Sequence, residues 1–594
     1  MSEKINYRLA NIQEREMKLR AVRHEILVSD SETALDMILD APAPAALIQS
    51  FPDQDLYYLM HKIGPYDFIP VLSMATSDQW EYILDVEVWD NDRLDLAYMT
   101  KIFDLLFQAD PNRLLRWAIK EKPDFFEFYL FKNMQIFVRE HDEVPPEDFD
   151  DYITIDDKFY FRFPDKPKIT DDNDQPEPGN DNDDEFRQDS GPAEEAWELI
   201  EKMLKAVAQL DLSVFHGLLL ETAALLTAET EEDQFRLKNL RLAEKGFLPT
   251  HEAIGIYQPT KLSSVRKRPD SSLFKQETFD PDIPLPPQFF SQFIEGDDLF
   301  VTALKLFDPE FIFHLESELA ALINKIISAD KIKLRGKEDI EKAVSKACAY
   351  LNLGLEVILK GEKKPALARE VIKEYFLEDI FRTGSRAGIK LKTKAADWFK
   401  KSYMNKSKLP LSFLGEDYLG VAGGLFLDRP LYYDNYAKGF LYRNFKSLSD
   451  ISQTRQSLEQ IIAIDTILGK LDADIQSFKQ GILTYKTLIL TLWAKDRLNL
   501  APTLEPIEIK AFKDFFIALF SKADPKDPGQ IQLNDMILWT SEATGIKEAD
   551  LPERFCEVLT DLINELEAEY STVDPKNIDP RYISHFLLKK NKPE

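Results

Sequence analysis

Residues that stop and start helices recur at short intervals between Ser31 and about Lys120. They are Pro42 and Pro44, Pro52, Gly64 and Pro65, Thr76 to Asp78, and Asp110 with Pro111. Proline is tolerated in the first helical turn, and Ser, Thr or Asp accepts hydrogen bonds from the free amides there. The stretch therefore predicts a succession of short helices, each about 8 to 12 residues long.

A faint internal repeat lies in the same stretch. Pro52 to Gln54 matches Ser77 to Gln79 at an offset of 25, and the same offset aligns Tyr57 with Tyr82. One pair of short helices cannot bury its apolar face alone, so stacked pairs form a layered superstructure with surface open to a partner. We therefore predict a stacked helical-repeat domain over 31–133.

Several phrases of the sequence resemble an uncharacterised bacterial family of unknown function. They are Ala41 through Leu56, Ile63-Gly64, Leu84-Asp85, Trp89 through Leu94, Asn239 through Phe247, and Phe381 through Gly388. This resemblance covers most of the chain and implies no known activity. The helix spacing over about residues 30–120 is also similar to the cytosolic superhelical N domain of MgtE-type magnesium transporters. A magnesium channel is not implied, because no membrane spans and no nucleotide-sensor pair follow in the sequence.

The fold class predicted for the whole chain is mainly α. A chain of 594 residues exceeds the roughly 250–300 residues at which a single core stops growing, so several domains are expected. The predicted segments are an amphipathic helix at 1–30, the stacked helices at 31–133, a small β-rich element at 134–163, an acidic disordered linker at 164–195, a helical segment at 196–258, a proline-rich linker at 259–287, a helical domain with a Gly/Tyr-rich loop at 288–448, and a C-terminal helical bundle at 449–594.

Two local patterns refine this division. Gln135 to Arg139 and Tyr152 to Phe163 are β-rich, and Asp156-Asp157 can turn the second run into a hairpin. Helical spacing is readable over Ala366 to Phe381 and again over Ala387 to Tyr403, which predicts two helices with a break at 382–386.

Charge and cysteine content restrict the classes of function. The formal net charge of −30 disfavours binding of a phosphate backbone by the protein as a whole, because that affinity depends on Lys and Arg. The two cysteines, Cys348 and Cys556, exclude a disulfide framework and fit a reducing compartment. The most apolar stretch, Ile482 to Ala494, is shorter than the about 20 residues that cross a membrane. We therefore expect a cytoplasmic protein without membrane spans.

Known catalytic signatures are missing from the sequence. It contains no Walker loop, dinucleotide-binding glycine motif, nucleophile elbow or two-histidine metalloprotease helix. The seven histidines are scattered without ligand spacing. No cofactor is predicted.

A group of carboxylates surrounds Trp89 and is a weak candidate for a metal site. Its members are Asp85, Asp90, Asp92 and Asp95, and hard divalent cations bind several carboxylate oxygens together. The alternative is structural: the aspartates end one helix and cap the next beside a partly buried Trp. We favour the structural alternative and predict no metal.

The segment 382–408 reverses the charge of the chain. Its basic residues are Arg382, Arg386, Lys390, Lys392, Lys394, Lys400 and Lys401, followed by Lys406 and Lys408, against the single acid Asp397. On an acidic protein such a reversal could hold a phosphate, a nucleic-acid backbone or an acidic surface. It could equally be a solvated helix face or a dock for the acidic linker.

A Gly- and Tyr-rich passage follows at 413–445. Its candidate binding residues are Gly423, Gly424, Arg429, Tyr432 and Tyr433. Glycines permit close approach of a ligand to the backbone, but the passage could also be an ordinary long connection.

These features favour a non-enzymatic, cytosolic, helical-repeat interaction or regulatory protein with a protein partner. Nucleic acid and membrane partners are not expected, and the oligomeric state is left open. One alternative is an enzyme of unfamiliar type with a site between the halves, near 382–435. Another is a divalent-cation-responsive regulator, suggested by the acidity and the transporter-domain resemblance.

Overall fold

The fold is mainly α-helical, and its strands occur only in small sheets. The computed structural model describes residues 18–90, 92–139, 152–163, 192–225, 227–258, 266–268, 287–294, 296–334, 337–471, 483–521 and 530–589. The predictions for residues 1–17, for the acidic linker as far as 191, and for most of the proline-rich linker lie outside these residues.

Short helices follow one another through the N-terminal part, as their punctuation predicts. They are α1 (18–28), α2 (Ser31–Leu39), α3 (Pro44–Gln49), α4 (Asp53–Ile63), α5 (Ile69–Met74), α6 (Ser77–Glu87), α7 (Leu96–Ala109), α8 (Pro111–Lys120) and α9 (Pro123–Asn133). Thr76 forms a capping box with Gln79 at the start of α6, and the side chain of Asp110 caps α8. Gly64 ends α4 with a φ of 114°, a left-handed conformation that favours glycine.

Helices separated by the predicted offset pack against each other. Helix α3 contacts α5, and α4 contacts α6. The rings of Tyr57 and Tyr82, which the offset aligns, meet edge to face with centroids 5.9 Å apart. Gln49 Nε2 donates to the carbonyl of Met74, also 25 residues away, at 3.2 Å. Short helices that are two apart in the chain therefore pack against each other.

The strands form three small antiparallel sheets. They are β1 (Trp89–Asp90) with β2 (Arg93–Leu94), the sheet of β3 (Gln135–Val138), β5 (Phe159–Arg162) and β4 (Ile153–Thr154) in that order, and β6 (Tyr432–Tyr433) with β7 (Tyr442–Arg443). Asp157 adopts a φ of 57° between β4 and β5, and Asp156 accepts the amide of Phe159. The predicted hairpin at the two aspartates is confirmed.

The remaining described helices are mostly longer, apart from three of four to six residues. They are α10 (Pro192–Leu210), α11 (Leu212–Ala224), α12 (Thr227–Glu244), α13 (Thr250–Ala253), α14 (Leu299–Leu304), α15 (Pro309–Asp330), α16 (Lys337–Ile358), α17 (Pro365–Glu374), α18 (Leu377–Lys401), α19 (Tyr403–Lys406), α20 (Glu416–Phe426), α21 (Leu448–Leu468), α22 (Tyr485–Arg497), α23 (Ile509–Ser521), α24 (Gln530–Thr544) and α25 (Glu553–Tyr570). Helix α10 begins at Pro192, so the last residues of the predicted acidic linker belong to a helix, since proline fits the first helical turn.

The predicted helix break at 382–386 is wrong. The break lies at Tyr375 and Phe376, and α18 continues without interruption to Lys401. Inside α18, Gly384 faces α16 so closely that a Cβ atom there would lie 2.1 Å from the carbonyl oxygen of Tyr350. Gly354 of α16 is equally close to the carbonyl oxygen of Ile380. The two glycines let the helix backbones touch where α16 and α18 cross.

The buried side chains form two cores. The first runs from Ile26 to Leu458 and joins the segments 31–133, 196–258 and 288–448. The second runs from Met404 to Leu588. Helix α21 contributes its first half to the first core and, from Ile461 onward, most of its second half to the second core.

Three residues of the predicted proline-rich linker are part of the packed structure. Lys267 forms an isolated β-bridge with Tyr375. Arg268 pairs with Glu318 of α15 through both terminal nitrogens, and its Nε donates to the carbonyl of Tyr375 at 3.1 Å. At 266–268 the chain is therefore fixed against α15 and α17, because a buried guanidinium needs its hydrogen bonds satisfied.

Candidate functional site

Three of the four aspartates around Trp89 are engaged separately by different parts of the protein. Asp85 accepts two hydrogen bonds from Arg241 of α12, at 2.7 and 2.8 Å, and burial raises the pKa of the Asp85 carboxyl. Asp90 pairs with Lys333 at 2.7 Å, Asp95 accepts the amide of Tyr98 at the start of α7, and Asp92 is exposed. Among the described residues, no group of three His, Cys, Asp or Glu side chains is placed to hold a metal ion.

Three basic side chains of the 382–408 segment bind parts of the protein itself. Arg382 pairs with Glu378 at 2.6 Å and donates to the carbonyl of Gly255. Lys392 Nζ donates to the carbonyls of Leu427 and Asp428, at 2.7 and 3.0 Å. Lys394 pairs with Glu459 of α21 at 2.8 Å. These side chains fix α18 to its neighbours.

Other basic residues of α18 face solvent. Lys390, Lys400 and Lys401 are exposed. None of the three forms an ion pair with another residue in the part of the chain that the structure describes. An open groove of about 520 Å³ runs along the same helix, lined by Arg386, Ile389, Lys390, Thr393, Lys394 and Asp397. This spacing of three, four, seven and eight residues puts the lining side chains on one side of the helix.

The glycines of the Gly/Tyr-rich passage receive the protein's own tyrosines. A Cβ at Gly420 of α20 would lie 2.3 Å from the ring of Tyr433, and one at Gly423 would lie 2.8 Å from the hydroxyl of Tyr442. A Cβ at Gly424 would lie 2.7 Å from the carbonyl oxygen of Leu431. The hairpin of β6 and β7 is thus seated on the glycine face of α20, where a ligand would have to displace it.

The remaining two candidates of this passage are Arg429, which precedes the hairpin, and Tyr432, the first residue of β6. Tyr432 donates its hydroxyl to Gln453 of α21 at 2.7 Å, and the guanidinium of Arg443 covers its ring at 4.2 Å. Arg429 stacks on the ring of Tyr257 at 3.9 Å and pairs with Asp330 at 3.5 Å. Each of these side chains is therefore engaged with the protein itself.

A polar cluster that the sequence did not indicate surrounds Arg429. Asp330 accepts the hydroxyl of Tyr257 at 3.0 Å and the ammonium of Lys346 at 2.5 Å. Burial lowers the pKa of Lys346 and, with Asp330 beside it, raises the pKa of Tyr257. The cluster joins the turn at 254–257 to α15, α16 and the loop after α20. No motif could have revealed it, because its members are far apart in the sequence.

Two further cavities lie beside α14. One is polar, about 580 Å³ in volume, and its wall includes Asp298, Ser345, Cys348 and Lys446. Burial raises the pKa of the Cys348 thiol to about 12, so this thiol is protonated at neutral pH and is a poor nucleophile. The other cavity is mainly apolar, about 270 Å³ in volume, and Glu316 is part of its wall.

The protein is mainly α-helical, and its short N-terminal helices share one core with the longer helices that follow. Residues 11–589 match a family of unknown function, DUF6178, and the chain belongs to that family. No curated protein and no solved structure matches the chain. The resemblance to a family of unknown function is thus confirmed, whereas the likeness to the N domain of MgtE-type transporters has no support.

Among the described helices, none alone is both long and apolar enough to cross a bilayer. Helices α11 and α12, which meet at a bend of 105°, reach that length and apolar composition only together.

Proposed function

We propose that this protein is a non-enzymatic, cytosolic interaction protein that binds an acidic protein surface through the exposed basic face of α18. The observation that carries the proposal is the set of Lys390, Lys400 and Lys401, which are all exposed on one helix, with Lys390 also lining the open groove. Helices α15, α16, α20 and α21 pack against α18 and form the scaffold that holds this face.

Electrostatics favours this face over the rest of the surface. The whole chain carries a net charge of −30, so an acidic partner is repelled from most directions of approach. A local basic face then determines both the rate and the orientation of the encounter. Because exposed ion pairs are individually weak, affinity would come from several such contacts together.

The other candidate residues near α18 support a binding role for this face rather than a catalytic one. Arg382 and Arg429 are already paired with carboxylates, and the glycines of α20 are covered by Tyr433 and Tyr442. The cation-responsive alternative has less support, because Asp85 is held by Arg241.

The test replaces Lys390, Lys400 and Lys401 with Glu in the full chain. A matched control carries the same change of charge at Lys120, Lys510 and Lys547, which are exposed elsewhere. The probe is polyglutamate of defined length, with duplex DNA as a second probe, and binding is measured by fluorescence anisotropy at several salt concentrations. Circular dichroism verifies that both variants are folded.

We expect the wild type to bind polyglutamate at low salt, the α18 variant to bind at least about tenfold more weakly, and the control to retain more of the affinity. Equal losses in the two variants would mean that net charge alone acts and would overturn the proposal. Tighter binding of DNA than of polyglutamate would contradict the choice of an acidic protein partner, and absence of wild-type binding to polyglutamate would refute the site.

A further inference from the structure

The apolar cavity of about 270 Å³ lies between α14, the first half of α15 and the 3₁₀ turn Phe289–Phe293. Its walls include Phe290, Phe300, Val301, Leu315 and Leu319, none more than 5% exposed. Protein interiors are close-packed, and an apolar cavity of roughly 150 Å³ is enough to hold benzene. This cavity is therefore large enough for a small apolar molecule.

One carboxylate interrupts the apolar wall. Glu316 is on α15, and its side chain is 20% exposed. Its Oε2 accepts from Arg20 of α1, whereas no described residue donates to its Oε1. A carboxylate oxygen at the edge of an apolar space favours a ligand that brings a hydrogen-bond donor, because a ligand without one would exclude water from that oxygen and offer no donor in its place.

The wall of the cavity that the 3₁₀ turn forms is held in place from behind. Asp55 of α4 accepts the backbone amides of Gln288 and Phe289, at 2.9 to 3.0 Å. Arg23, one turn after Arg20 on α1, is 1% exposed and lies close enough to Asp55 to lower the pKa of its carboxyl, which burial nevertheless raises to about 7. The turn that lines the cavity is thus anchored to the N-terminal helices, so the cavity has fixed walls.

We propose that this cavity binds a small apolar primary amine, with its ammonium group on Glu316 Oε1 and its apolar body among the side chains of α14 and α15. An isosteric carboxylic acid would place like charges together at Glu316, and a hydrocarbon would leave Oε1 without a donor. Lys305 is exposed at the rim. A carboxylate on the same ligand could reach it, so the amine could be free or part of an apolar amino acid.

Isothermal titration of the full chain with 2-phenylethylamine, 3-phenylpropionate and L-phenylalanine tests the proposal. We expect the amine to bind and the acid to bind at least tenfold more weakly. Glu316→Gln should remove this preference for the amine. Val301→Phe should abolish binding by filling the space, and it keeps the test valid if Glu316→Gln does not fold. Lys120→Gln, at an exposed lysine that does not line the cavity, should leave amine binding unchanged.

Binding of L-phenylalanine distinguishes a site for apolar amino acids from a site for free amines. Tighter binding of L-phenylalanine than of phenylethylamine, lost in Lys305→Gln, would assign the site to apolar amino acids, and the reverse order would assign it to free amines. If the acid binds as tightly as the amine, or if no amine binds at millimolar concentration, the proposal is overturned. Neither result bears on the basic face of α18, which shares no residue with this cavity.

Discussion

Replacement of Gly384 by Ala should destabilise the protein, although the same change stabilises most helices. Gly384 lies inside α18, where alanine has the better helix propensity by about 1 kcal/mol. A Cβ at this position would lie 2.1 Å from the carbonyl oxygen of Tyr350 and 2.9 Å from the amide nitrogen of Gly354, both backbone atoms of α16. Backbone atoms inside a helix cannot rotate away as a side chain could.

The size of the effect follows from the distance. Ordinary van der Waals contact begins at 3.4 Å, so the two helices would have to move apart by more than 1 Å. Overpacking of this kind costs about 1–3 kcal/mol or more, and separation also weakens the dispersion contacts along the crossing. After the gain in propensity, we expect a net loss of about 2 kcal/mol in the free energy of unfolding.

Urea unfolding followed by far-UV circular dichroism measures the change. Gly217 of α11 supplies the matched control, because it lies in a helix of the same core and a Cβ there would meet nothing within 4 Å. Gly217→Ala should raise the urea midpoint by the equivalent of about 0.5–1 kcal/mol. If Gly384→Ala were as stable as the wild type, the helix crossing would not be held by backbone contact and the argument would fail.

Two further predictions concern buried carboxyl groups. Burial, together with Asp124 and Glu221, raises the pKa of Glu127 to about 7. Between about pH 4.5 and 7 the folded protein therefore binds a proton on Glu127 more tightly than the unfolded chain does. The free energy of unfolding then falls as pH rises through that window. Glu127→Gln should therefore stabilise the protein by about 2 kcal/mol at pH 8 and hardly at pH 4.5, and an equal effect at both pH values in urea unfolding would contradict this. Asp85→Ala should cost about 2–3 kcal/mol, because Arg241 loses both of its hydrogen bonds to that carboxylate. Millimolar magnesium should raise the wild-type melting temperature no more than a matched ionic strength does, and a saturable rise would restore the cation-responsive alternative.

Local signals in the sequence predicted local structure well. Thr76 and Asp110 start helices, and Asp156-Asp157 turns a hairpin, because capping and turn formation depend on a few neighbouring residues. The offset of 25 likewise aligned Tyr57 with Tyr82, which are in contact.

The predicted break at 382–386 contains Gly384, and the predicted binding loop contains Gly423. A glycine in isolation indicates a break as readily as a close approach, and only the position of α16 shows which applies at Gly384. In the same way, Gly423 suggested a ligand but receives Tyr442 of the same chain. Such assignments depend on what lies opposite the glycine, and this information is not local.

The candidate sites were less accessible to prediction for the same reason. Arg241 and Asp85 are 156 residues apart, and Arg20 and Glu316 are 296 residues apart. Charge runs marked α18 correctly as a basic helix, but they could not separate Lys392, which binds backbone carbonyls, from Lys390, which faces solvent. The apolar cavity arises from helix ends brought together by the fold, so no spacing in the sequence encodes it.

Helix α21 sets a limit on how the molecule can open. Its first half is buried in one core, while from Ile461 onward most of its buried side chains belong to the other. Excursions in which the C-terminal core opens alone would have to stop inside this helix and leave about three turns still packed. Amide hydrogen exchange should then change sharply within α21, with slow exchange before Ile461 and faster exchange after it whenever the second core is the weaker one.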